Sequence, residues 1–138
     1  TMPISDINGL RVAVDNVKAE PDIVERHAKI AAATRQAVRK AGLSLYLKEG
    51  YANTVTVIEV PDGLTDEQIL STMRDKYNVM ISGCFDVLAG KVIRIGHMGE
   101  NANEADLCMT LAAMDKTFAD LGYPLQCSMK EVFLACLA

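Results

Sequence analysis

Apolar residues recur at helical spacing along the first forty residues and alternate with polar ones through the middle of the chain. Ile7, Leu10, Val14 and Val17 fall three or four residues apart, which predicts a helix over about residues 4–19 that Pro21 interrupts. A second helix is expected from about Asp22 to Ala41, with Ile23, Ile30, Thr34, Ala37 and Val38 as its apolar stripe. Gly42 suits its C-terminal cap, and Arg35, Arg39 and Lys40 lie near the negative end of its dipole. Two strands should follow, Leu43–Lys48 and Thr54–Val60, with a turn near Gly50 between them and Pro61-Asp62-Gly63 closing the pair. Thr65-Asp66-Glu67-Gln68 is a capping box for a helix with Ile69, Leu70, Met73 and Tyr77 facing inward. Val79–Ser82 and Lys91–Gly96 read as two further strands. Asn103, with Asp106 at the third position, can cap a long helix whose core face is Leu107, Leu111, Met114, Phe118 and Leu121, and Gly122 and Pro124 end it. Ser128-Met129-Lys130-Glu131 is a second capping box, opening a short terminal helix through Leu137.

Leaving aside the first and last helices, the order is α-β-β-α-β-β-α. Strands in closely connected pairs favour an antiparallel or mixed sheet of about four strands with helices on one face, an α+β sandwich. The first helix is the element least tied to that sheet. Thr1 precedes Met2, and Pro3-Ile4-Ser5 runs straight into the helical pattern without leader or linker, so the chain reads as cut from something longer or as beginning mid-architecture.

Composition narrows the class. With 138 residues, half of them hydrophobic and 23% charged, the chain suits one domain, or one domain with an appended element. A net charge of -4, with no basic stripe and no aromatic cluster, argues against nucleic acid or an anionic membrane as partner. No apolar stretch approaches the roughly 20 residues of a membrane span, and no signal peptide is visible. Cys84, Cys108, Cys127 and Cys136 form no CxxC pair and no zinc spacing, so no metal site is expected. Cys108 and Cys136 fall inside apolar helical patterns, which fits free thiols and a reduced, cytoplasmic compartment.

Candidate chemistry centres on Val92-Ile93-Arg94-Ile95, which ends at Gly96 and is followed by Gly99. Alternation places Val92 and Arg94 on one face and Ile93 and Ile95 on the other. A guanidinium stays protonated, and its planar fork suits a bidentate grip on a carboxylate. The glycines let a ligand or a second backbone come close. The plainer reading of Arg94 is a surface or structural ion pair. His97, between the two glycines, is a weaker candidate acid or base because no second ligand or paired base stands near it in sequence. His27, beside Glu25 and Arg26, reads as a polar-face residue. The carboxylates Glu49, Glu59, Asp62, Glu100 and Asp106 show no spacing that commits two of them to one site.

Four stretches together resemble the C-terminal part of class V aminotransferases, in the alanine–glyoxylate and serine–pyruvate group of pyridoxal phosphate (PLP) enzymes. Thr1-Met2-Pro3-Ile4 is similar to the family's Thr-x-Pro lead into an interdomain helix. Asn53–Pro61 is similar to its strand with a Thr-Val-Thr core, and Val79–Gly83 to the strand before its substrate loop. The most specific is Gly90-Lys91-Val92-Ile93-Arg94-Ile95-Gly96-His97-Met98-Gly99, which resembles Gly-Lys-x-x-Arg-Ile-Gly-x-x-Gly. The resemblance covers residues 1–122; it is weaker over 125–138.

The resemblance implies an interdomain helix segment at residues 1–20 and a C-terminal small domain at 21–138. It implies that Arg94 binds the α-carboxylate of a small amino or 2-oxo acid, and that Thr1 helps hold the cofactor phosphate of the neighbouring subunit in a homodimer. PLP chemistry needs a Schiff-base lysine, an aspartate on the pyridine nitrogen and an aromatic ring over the cofactor. In this family all three lie in the large domain, upstream of Thr1, so the chain by itself should neither bind PLP nor turn over. The Cys84–Ala89 loop, with Phe85 and Asp86, departs from the family's small, glycine-rich pattern and bears on substrate identity. The competing reading is a free-standing α+β regulatory or ligand-binding module whose Arg94 holds a small carboxylate.

Overall fold

A computed structural model describes residues 1–138. Five helices and two strands follow in the order α1 (Ile4–Ala19), α2 (Ile23–Lys40), β1 (Val55–Glu59), α3 (Asp66–Tyr77), β2 (Val92–Gly96), α4 (Glu104–Asp120) and α5 (Met129–Leu137). Short 3-10 turns occupy Asp86–Leu88 and Gly99–Asn101. The helices lie where the apolar periodicity places them, and their ends follow local chemistry. Gly42, at φ +88°, closes α2: its N–H bonds to the Arg39 carbonyl at 3.0 Å, while Leu43 N–H bonds to Val38 at 3.2 Å. This left-handed exit satisfies two carbonyls that have no partner within the helix. Thr65 and Gln68 form the full reciprocal capping box at α3. Asn103 accepts from Asp106 N–H at 2.8 Å and caps α4.

α5 is held more firmly than its own cap requires. Ser128 accepts from Glu131 N–H as a local cap should. Asp115, reaching across from α4, adds three more bonds: it accepts from Ser128 Oγ at 2.7 Å, from Met129 N–H at 2.9 Å and from Lys130 N–H at 3.3 Å. A carboxylate there meets both the unpaired amides and the positive end of the helix dipole.

The sheet is smaller than expected. It has two strands, not about four, and they pair antiparallel with Ile58 opposite Ile93 and Val57 opposite Arg94. The other two expected strands each touch this pair at a single bridge. Leu45 lies beside Ile58, on the outer edge of β1, and Ser82 lies beside Arg94, on the outer edge of β2. Physical reasons for the shortening are local. Along Leu43–Lys48, only Ser44 and Tyr46 bond to β1 before the chain peels away toward Gly50. At Val79–Ser82, Val79 N–H still bonds to Met73 of the preceding helix, with Asn78 left-handed before it. Gly83 and the left-handed Asp86 then turn the chain off the sheet.

One core lies between the sheet and the helices. Ile58, Ile93 and Ile95 face Ala33, Ala37 and Val38 of α2, Ile69 and Met73 of α3, Leu111 and Phe118 of α4, and Met129 and Phe133 of α5. α5 packs on α2 and α4, so the terminal helix belongs to the core. Cys136 is a correction: it lies on the exposed side of α5, whereas Cys108 is half-buried, and all four cysteines are free. α1 stands apart. It buries none of its residues, and Ile7, Leu10, Val14 and Val17 are all exposed. No helix is long and apolar enough to cross a membrane.

Candidate functional site

Arg94 projects from the face of β2 opposite the core, paired with Val57 across the ladder. Its backbone is fixed on the other edge by both bonds of the Ser82 bridge, at 2.6 and 3.1 Å. Its half-buried side chain donates from Nε to the Gly83 carbonyl at 2.7 Å. The guanidinium carbon stands 5.3 Å from the centroid of the Phe85 ring, at cation–π distance. The terminal nitrogens Nη1 and Nη2 bond to no group of the chain, and Arg94 enters no ion pair. The structural ion pair, the plainer expectation, is therefore not what the arginine makes. A guanidinium held by Nε with both Nη groups uncommitted offers the fork that a carboxylate fits in two parallel bonds.

Met80, Phe85 and Val87 are 82%, 76% and 72% exposed, and they flank the Gly83 anchor on its own loop. The loop is tight. Asp86 sits at φ +53°, Leu88 N–H bonds to Phe85 carbonyl at 3.2 Å and Ala89 N–H to Asp86 carbonyl at 3.0 Å. A non-glycine residue in the left-handed region costs energy that the surrounding bonds must offset.

His97 has a structural role. It is fully buried, with Nε2 2.8 Å from Thr56 Oγ1 and Nδ1 3.2 Å from the Asn53 carbonyl. A carbonyl only accepts, so Nδ1 carries the proton and Nε2 accepts from the threonine hydroxyl. Burial pushes its pKa below the ordinary 6.5, keeping the ring neutral. As pH falls through about 6.5 the unfolded chain takes up a proton that the folded chain refuses, so stability drops until the lowered folded-state pKa is reached. The urea midpoint of the chain should therefore fall between pH 7.5 and 5.5 by more than that of His97→Gln. Parallel pH profiles for the two proteins would contradict this role.

His27 is also more than a polar-face residue. Its Nδ1 donates to Ile23 carbonyl at 2.6 Å, and its Nε2 accepts from Gly99 N–H at 2.9 Å. Arg26 adds bonds from Nη1 to the carbonyls of Gly99 at 2.9 Å and Ala102 at 2.6 Å. The start of α2 thus clamps the turn after β2, and the second glycine of the arginine motif serves this packing. Local spacing carried no signal for it, since more than seventy residues separate the partners.

Thr1 is exposed, precedes α1, and shares no hydrogen bond with the Arg94 cluster. Lys130 is half-buried near the start of α5 and every other lysine is exposed. No group of His, Cys, Asp or Glu could hold a metal ion.

No family model matches the chain. Curated proteins do. Serine–glyoxylate aminotransferase of Arabidopsis thaliana is 38% identical over 128 residues, which is 90% of this chain and 32% of that protein. L-aspartate–glyoxylate aminotransferase of Paracoccus denitrificans is 35% identical over 91% of this chain and 33% of its own length. Among solved structures, pyridoxamine–pyruvate aminotransferase from Mesorhizobium loti superposes with a TM-score of 0.91 at 32% identity, over 99% of this chain and 36% of that one. The chain spans about a third of the length of the relatives it matches.

Proposed function

The chain is homologous to the C-terminal part of class V, PLP-dependent aminotransferases, and we propose that it is the small domain of such an enzyme, bringing to the active site the arginine that binds the substrate carboxylate. The reaction would move an amino group between a small amino acid, alanine- or serine-like, and a 2-oxo acid, glyoxylate or pyruvate. One observation carries this reading: the Arg94 fork is anchored through Nε and left open at both Nη groups. A bidentate contact there favours substrates with a carboxylate over amines that lack one. Matches that span a third of longer aminotransferases favour this reading over a free-standing module.

PLP, when bound, supplies the electron sink on which the amino acid loses its α-proton. Seven of this chain's eight lysines are exposed and Lys130 is only half-buried, so none has the enclosed setting that a lysine anchoring the cofactor needs. We assign that lysine, with the rest of the cofactor cradle, to the large domain encoded upstream. Residues 1–20 then form the interdomain segment and 21–138 the small domain. The wholly exposed apolar stripe of α1 supports a partner surface of that kind. In a homodimer Thr1 would reach the cofactor phosphate of the neighbouring subunit. The free thiols fit a cytoplasmic enzyme.

The test compares two proteins. The full-length polypeptide should bind PLP with its visible absorbance and transfer an amino group from serine or alanine to glyoxylate or pyruvate. Residues 1–138 alone should acquire no stoichiometric cofactor absorbance. A full-length polypeptide that takes up no PLP would overturn the reading.

A further inference from the structure

We propose that Phe85 is a positioning residue for carboxylate recognition, its ring setting the plane of the Arg94 guanidinium so that both Nη groups meet the substrate together. The inference rests on the carboxylate role of Arg94 proposed above. An arginine side chain held by Nε alone can still swing about the bonds before that atom, and a swinging fork loses one of its two parallel contacts. Here a second constraint exists. The Gly83 carbonyl fixes Nε at 2.7 Å and the guanidinium carbon lies over the Phe85 ring, 5.3 Å from its centroid, with both partners on one loop. Nη1 and Nη2 keep no partner within the chain.

Phe85 has no other visible employment. Its side chain is 76% exposed and takes no part in the core. Its carbonyl receives Leu88 N–H, and the next residue is the left-handed Asp86, so a strained turn presents an aromatic ring to solvent beside a cation. The negative face of the ring attracts the guanidinium and also disfavours a second carboxylate of the same substrate lying against it. The ring therefore favours substrates without a second negative charge beside the fork.

Three variants of the full-length enzyme separate this role from general support of the loop. Phe85→Tyr keeps the aromatic face, Phe85→Leu keeps apolar bulk without it, and Phe85→Ala removes both. The expected result is a two- to fivefold rise in KM for glyoxylate or pyruvate in Phe85→Leu and Phe85→Ala, with kcat unchanged and Phe85→Tyr within twofold of wild type. KM for an aldehyde acceptor without a carboxylate should not move. Independently of turnover, the Arg94 Nε–H NMR resonance should carry a ring-current shift that Phe85→Tyr retains and Phe85→Leu loses. Wild-type KM and an unmoved Nε–H resonance in Phe85→Leu would overturn the proposal. If Phe85→Leu raises KM equally for both acceptors, the ring supports the loop and the positioning role is wrong. Arg94→Lys serves as the control: wild-type KM for the 2-oxo acid there defeats the carboxylate reading itself, whereas a raised KM there with no effect of Phe85→Leu defeats only the inference about the ring.

Discussion

Replacing Phe133 with alanine should cost the chain about 3–5 kcal/mol of stability, the range for deleting a buried aromatic side chain. Phe133 is completely buried in α5, which packs against both α2 and α4. The α2 residues in that core include Ala33 and Ala37, whose methyl groups are too short to collapse into the space the ring would leave. The cavity therefore persists, and the missing contacts add to the lost transfer free energy. Domains of this size are typically stable by only about 5–15 kcal/mol, so the urea midpoint should fall by roughly a fifth or more with an unchanged slope. A loss below about 1 kcal/mol would mean that α5 is an appendage. The prediction matters because residues 125–138 show the weakest family resemblance, yet the structure makes them part of the core.

Periodicity made the helices legible. α1, α2 and α3 lie within a residue or two of their expected ends because apolar spacing and caps, Thr65 with Gln68 and Gly42 after Lys40, are local signals. The sheet was half legible. Alternation identified β1, β2 and the separation of Val92 and Arg94 from Ile93 and Ile95, but strand length depends on whether a neighbouring segment stays in register, and the flanking segments leave the sheet after one bridge each. The burial of His97 has a local signal. Extending the Ile93, Ile95 alternation by one further step puts residue 97 on the core face, where its partners Thr56 and Asn53 come from the other strand and the turn before it. What no local pattern could reveal were contacts distant in sequence: Arg26 and His27 on the Gly99 turn, and Asp115 on the start of α5. For Arg94, residue type and spacing left a plain ion pair as the simpler expectation, and the carboxylate role came from the family resemblance of the Gly90–Gly99 stretch. The open Nη pair and its Gly83 anchor needed the fold, because both depend on where a loop eleven residues earlier returns to the strand.

Arg94→Lys in the full-length enzyme should lower kcat/KM for a small 2-oxo acid by about one to two orders of magnitude. Lysine keeps the charge but offers a rotating ammonium in place of a planar fork, so the two parallel bonds reduce to a point-charge contact. A hydrogen bond to a charged group contributes roughly 1.5–3 kcal/mol, and 1.4 kcal/mol corresponds to tenfold. Cofactor absorbance should survive, since the proposed reading gives Arg94 no part in holding PLP. Lysine can no longer donate to the Gly83 carbonyl through Nε, so a change in loop stability is a separate effect to be scored by thermal melting. The most direct test is therefore kcat/KM of Arg94→Lys, measured on fully folded, PLP-saturated enzyme with glyoxylate or pyruvate as acceptor. The account predicts a ten- to hundredfold fall, on the order of 1.4–2.8 kcal/mol. A variant that melts at lower temperature but retains wild-type kcat/KM would show a purely structural arginine, and would contradict the account.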